Sequence, residues 1–91
     1  MLAHYQKDPN AVLDYTIDWT AWLPAGDSVV SAAWIVDGTV TQPKPPQLSG
    51  AKCTVWLAGG TLKSTSKVTC RVTTAHGRVD DRSIGVTIGE R

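Results

Sequence analysis

The sequence predicts an all-β sandwich of about seven antiparallel strands, and two observations carry that reading. Apolar residues recur at every second position in several segments, and Gly, Pro, Asp and Asn break those segments about every ten residues. No helical heptad or internal repeat competes with this pattern, so two packed sheets are the natural architecture.

Each element follows from its own residues. The first ten, 1–10, read as an extended N-terminal arm, because Asp8 precedes Pro9 and a residue before proline is held extended. The domain itself is expected over 11–91. Leu13, Tyr15, Ile17 and Trp19 point one way and Asp14, Thr16 and Asp18 the other, which is a half-buried strand. Pro24 and Gly26 then supply a bend. A second strand, about 28–36, is rich in Val, Ile and Trp and closes on the turn dipeptide Asp37-Gly38; "TVTQ", 39–42, can form a short strand beyond it. Three of the five prolines fall in "PKPPQLSG", 43–50, which must be a connection or a sheet edge. After it, Cys53, Val55 and Leu57 alternate with Thr54 and Trp56 up to Gly59-Gly60. Finally Val68, Cys70 and Val72, a loop at His76-Gly77, and Ile84, Val86 and Ile88 spell an antiparallel hairpin.

Composition narrows the functions. A chain of 91 residues supports one hydrophobic core without a deep cavity, and 42% hydrophobic residues are enough to fold it. Nine Lys and Arg against eight Asp and Glu, with no run of either sign, give no nucleic-acid groove. The longest apolar stretch, "SVVSAAWIV", is half a membrane span, and the N-terminus lacks a basic segment followed by an apolar one. The expectation is a soluble chain with no export signal and no membrane or nucleic-acid partner.

Reactive constellations are equally sparse. His4 and His76 have no carboxylate or cysteine at a metal-binding spacing, and no nucleophile elbow, zinc-protease or phosphate-loop motif occurs. Asp80 and Asp81 face opposite sides of a strand, with Arg78 and Arg82 at hand to neutralise them. Asp14 and Asp18 share a face but stand about 13 Å apart at about 3.3 Å per residue, too far to share one reacting atom. Cys53 and Cys70 are either buried free thiols or, if their strands are neighbours, a disulfide. The expectation is a non-enzymatic protein without metal or cofactor.

The aromatic residues are more telling. Four Trp and two Tyr with no Phe favour side chains that carry a polar tip, as interfaces do. Trp34 and Trp56 read as core or half-buried residues, Trp34 resembling the tryptophan that immunoglobulin-type sheets bury. Trp19 should face inward with Tyr15 and Ile17, whereas Trp22, beyond the strand end and beside Pro24, is a candidate surface anchor.

Two stretches, "KDPNAVLDYTIDWTAWL" at 7–23 and "TVWLAGGTLKSTSKVTCRVTTAHGRVDDRSIGVTI" at 54–88, resemble a family of small virion structural proteins of tailed bacteriophages, described as fibre-tail adaptors. The resemblance implies an immunoglobulin-like module, assembled in the bacterial host cytoplasm and present in several copies around a symmetry axis of the virion. It would link the neck or tail connector to fibres or neighbouring virion proteins. Partner contacts are then expected at Tyr5, Tyr15, Trp19 and Trp22, with Arg78 and Arg82 as polar partners and the arm ordering on docking. A capsid decoration protein is the alternative within that class. A carbohydrate-binding module for host-surface attachment, stacking sugars on Trp22, Tyr5 and His76, is the alternative outside it.

Overall fold

The structure, a computed structural model, describes residues 3–90. It is all-β, with eight strands in two sheets: β1 (Ala3–Lys7), β2 (Leu13–Asp18), β3 (Val29–Asp37), β4 (Val40–Thr41), β5 (Gln47–Ser49), β6 (Lys52–Gly59), β7 (Thr65–Thr74) and β8 (Val79–Ile88). One sheet runs β1-β8-β7-β3; the other runs β2-β6-β4, with β5 also on β6. Among the described residues no helix is long and apolar enough to cross a membrane.

Period-two alternation decides which side chains meet. Ile17, Cys53, Val55 and Leu57 of one sheet pack against Val68, Cys70, Val72, Ile84, Val86 and Ile88 of the other, all nearly or fully buried. Their partners in the alternation, such as Thr54 and Trp56 on β6 or Thr69 and Arg71 on β7, point away from this core. The hairpin expected at the C-terminus is β7 and β8, in register from Thr65↔Thr87 to Thr73↔Val79.

Three features differ from the sequence reading. First, the segment read as an arm supplies β1, which pairs parallel with β8 from Ala3↔Ile84 to Lys7↔Ile88, so the sheet is mixed rather than wholly antiparallel. Met1 and Leu2, the start of that arm, lie outside the described residues. A parallel partner so far along the chain leaves no turn signal to announce it. Second, the short strand that leaves the Asp37-Gly38 turn, β4, pairs with β6 and not with β3, so the chain changes sheets at this turn. Gly38 has φ +145°, and a Cβ there would lie 2.6 Å from the Ser66 Cα, so only glycine allows this close passage over β7. Third, Asp80 and Asp81 are not neutralised by Arg78 and Arg82. Asp81 takes both donors of Arg71 across the β7–β8 ladder, at 2.8 and 3.0 Å, and Asp80 accepts the Asp81 N–H at 2.9 Å. Residues directly opposite on adjacent strands meet more readily than neighbours in sequence.

Lys7 ends β1 on the core side and is fully covered. Its ammonium donates to the carbonyls of Asp8 at 2.8 Å and Gly59 at 2.7 Å, tying β1 in one sheet to the end of β6 in the other. Burial pushes its pKa below the usual lysine value, and the nearby Asp8 charge partly opposes that. Two other polar struts join the sheets. Ser66 on β7 accepts the Thr39 and Val40 N–H groups at 3.0 and 3.4 Å, and Arg82 on β8 donates to the Asp18 carbonyl at 3.2 Å. Replacing Lys7 by Met keeps the volume and removes the donors. Urea denaturation of Lys7→Met is expected to show a loss of about 1.5–3 kcal/mol, the range for a hydrogen bond to a charged group; an unchanged midpoint would show that the strut contributes nothing.

Candidate functional site: an aromatic seam between the sheets

Tyr5 lies on the core-facing side of β1 and Tyr15 on that of β2, and each strand ends its own sheet. The two edges therefore lie over one another on one flank of the molecule, where the tyrosine rings meet with centroids 5.0 Å apart and planes tilted by 55°. Tyr5 remains 44% exposed, so the contact is an open seam rather than a sealed core. Beside it a groove of about 220 Å³ is lined by Ala3, Tyr5, Tyr15, Asp18, Arg82 and Ile84, among others.

The end of β2 explains the tryptophans. The chain turns directly after the strand, the Trp19 carbonyl accepting the Trp22 and Leu23 N–H groups at 3.0 and 3.1 Å. That turn folds Trp22 edge-on against Trp19, with centroids 5.1 Å apart and planes at 72°. Trp19 itself is fully buried, and its indole N–H has no hydrogen-bond partner among the described residues. Arg82 closes the rim, its guanidinium 4.4 Å from the Trp19 ring centroid while it donates to the Asp18 carbonyl.

The structure thus brings Tyr5, Tyr15 and Arg82 together on one flank, with Trp19 behind Arg82 and Trp22, half-buried, behind Trp19. Arg78 is elsewhere. At the tip of the β7–β8 hairpin its guanidinium lies 3.6 Å from the Asp27 carboxylate, which also accepts the Ser28 and His76 N–H groups at 2.9 and 3.1 Å. The sequence pattern gave no reason to pair Asp27 with that hairpin, because Asp27 reads simply as part of a turn.

Other ionisable groups join strands as well. Cys53 and Cys70 are both buried free thiols, one from each sheet in the same core; burial pushes Cys53 up and Cys70 up to about 12, which keeps both protonated at neutral pH. Trp56 points outward from β6, half-buried, under Lys44, whose ammonium sits 4.1 Å from the ring centroid. Among the described residues no group of three His, Cys, Asp or Glu is placed to hold a metal ion.

What this geometry defines is a small two-sheet structural module with aromatic rings open along one flank. Its particular kind comes from a family model described as podophage GP4 fiber-tail adaptor protein gp77, which matches residues 7–87. The chain belongs to that family, and with it to the structural proteins of the bacteriophage virion. The match opens at Lys7, the buried strut. No curated protein matches the chain.

Two outcomes follow. Trp19→Ala is expected to cost about 3–5 kcal/mol, as for a fully buried aromatic, and half-buried Trp22→Ala distinctly less; thermal unfolding of the two variants side by side checks the order. Desolvation raises the Asp27 pKa, but hydrogen bonds from the Thr74 hydroxyl and the Ser28 and His76 N–H groups outweigh it, so the folded value lies below the ordinary 3.8. Between those two values the unfolded chain binds more protons, so stability rises with pH there. The Asp27 contribution is complete above the unfolded pKa and is lost as pH falls through the folded one, and Asp27→Asn is expected to flatten the acid limb of a Tm-against-pH profile.

Proposed function

We propose that this chain is a non-enzymatic adaptor of immunoglobulin-like sandwich fold that links the neck or tail connector of the virion to fibres or to neighbouring virion proteins. The observation that carries this reading beyond family membership is the seam: two tyrosines and an arginine converge on one groove, with Tyr5 44% exposed, on a flank where both sheets end. Tyrosine and arginine are the side chains that most often anchor protein interfaces, because a rigid ring or planar guanidinium buries much area at low entropic cost. Trp19 and Trp22 support that platform from behind, and Arg78 holds the far hairpin.

A patch of this size gives a modest contact in each copy. Identical contacts repeated around a symmetry axis add avidity, so a firm joint does not require a large interface on one subunit. Proteins are the partners in this reading; nucleic acid and membrane have no part in it.

Quantitative mass spectrometry of purified virions, with a localised reconstruction of the neck, tests the role. A count near the connector multiplicity with density at the neck is the expected result. A count near that of the capsid subunits would make the chain a decoration protein instead, and absence from the particle would overturn both.

A further inference from the structure

The direction of the backbone groups along β2 fixes which of them remain unpaired. The Trp19 N–H donates to the Ala51 carbonyl at 2.9 Å, on the β6 side, whereas the Asp18 carbonyl accepts from Arg82, on the β8 side. Backbone groups of successive strand residues point to opposite edges. Leu13, Tyr15 and Ile17 therefore bond to β6, and Asp14, Thr16 and Asp18 direct their N–H groups outward. No strand of the described fold lies there, since β2 ends its sheet.

The edges at β3, β5 and the first part of β8 are blunted. The edge strand β3 has a register irregularity between Val29 and Ser31, and on β8 beyond the end of β1 the Asp81 N–H is already taken by the Asp80 carboxylate. Three prolines precede β5. β1 also ends its sheet, but along Ala3–Lys7 it has no carboxylate to match a basic strand.

The side chains of β2 make two rows. Outward-facing Asp14, Thr16 and Asp18 present two carboxylates; that of Asp18 is occupied by the Thr20 N–H and hydroxyl, whereas that of Asp14 makes no hydrogen bond or ion pair among the described residues. On the other face, Leu13 at 38% and Tyr5 at 44% exposure leave apolar area uncovered beside Tyr15. A strand laid on this edge would set alternate side chains against the free Asp14 carboxylate on one face, Asp18 being already matched by Thr20, Lys52 and Arg82, and against an apolar row on the other.

We propose that the free edge of β2 receives an extended segment of a partner virion protein in which apolar residues alternate with Lys or Arg, adding one strand to the sheet. The adaptor reading supplies the source of that segment. Main-chain bonds to Asp14, Thr16 and Asp18 hold the strand, its basic side chains face Asp14, and its apolar ones cover Leu13, Tyr15 and Tyr5.

An eight-residue peptide alternating Val and Lys, capped at both ends, is the probe, and amide hydrogen exchange of the whole chain by NMR is the readout. Protection of the Asp14, Thr16 and Asp18 amides is expected to rise at least about tenfold at saturation, with those of Tyr15 and Ile17 unchanged. Thr16→Pro removes an outward N–H without breaking the β2–β6 ladder and is expected to abolish the effect. Asp14→Lys is expected to weaken binding about tenfold, as when an opposite-charge cross-strand pair becomes a like-charge one. Near-UV circular dichroism of the Trp19–Trp22 pair reports whether each variant is folded; should Thr16→Pro lose it, Asp14→Lys carries the comparison. No protection, protection at other amides, or equal protection by a Val-Glu peptide would overturn the proposal. So would normal incorporation of both variants into virions that also take up the wild type, a result that leaves the adaptor reading standing. Absence of the wild type from virions would remove the adaptor reading and this partner with it.

Discussion

The ammonium group of Lys7, held between the carbonyls of Asp8 and Gly59, is the constraint on which the aromatic flank of the molecule depends. A charge out of contact with water is tolerated only when its donors are satisfied, and two short bonds to carbonyl oxygens supply that. Because Gly59 belongs to the opposite sheet, the same bonds fix where β1 stops. Period two then does the rest: Tyr5, two residues earlier on the same face, is set against Tyr15. The seam is thus placed by a buried cation rather than by the aromatic rings themselves.

Arg82 does comparable work at the other end of the groove. Its guanidinium lies over Trp19 and bonds the Asp18 carbonyl, so one side chain covers the core, joins the sheets and leaves a positive edge facing outward. Trp22 completes the packing from the side. Aromatic groups that look like loose surface anchors in the sequence are, in the fold, mutually buttressed. A rigid surface of this kind loses little freedom when a partner docks.

Much of this was legible in the sequence because half-buried strands write their own pattern. The alternations Leu13-Tyr15-Ile17-Trp19, Cys53-Val55-Leu57, Val68-Cys70-Val72 and Ile84-Val86-Ile88 each name a core face, and the structure buries all of those residues wholly or in part except Leu13, at the start of β2, which stays 38% exposed. What escaped was whatever depends on partners distant along the chain. β1 is polar and exposed except at Lys7, so "AHYQK" shows no alternation that could reveal a strand, still less its parallel pairing with β8. The arginines were matched to their sequence neighbours, whereas ladder register gave Asp81 to Arg71 and loop packing gave Arg78 to Asp27. Of the candidate site, the sequence names residue types that suit an interface, but nothing in it shows that Tyr5, Tyr15 and Arg82 meet while Arg78 stands apart.

The parallel pairing of β1 with β8 bears on how the fold carries force. Ala3 lies beside Ile84 and Lys7 beside Ile88, so the first and last strands of the described fold run side by side with their outer ends at opposite ends of one ladder. A pull applied between Ala3 and Ile88 drags these two neighbours past each other along their length. Every rung of the ladder is then strained at once, whereas an antiparallel pair pulled from one end would open rung by rung. The Lys7 bonds to Asp8 and Gly59 sit at the end of the same ladder and take up part of the shear. A module held by these two strands is built to resist being drawn out lengthwise.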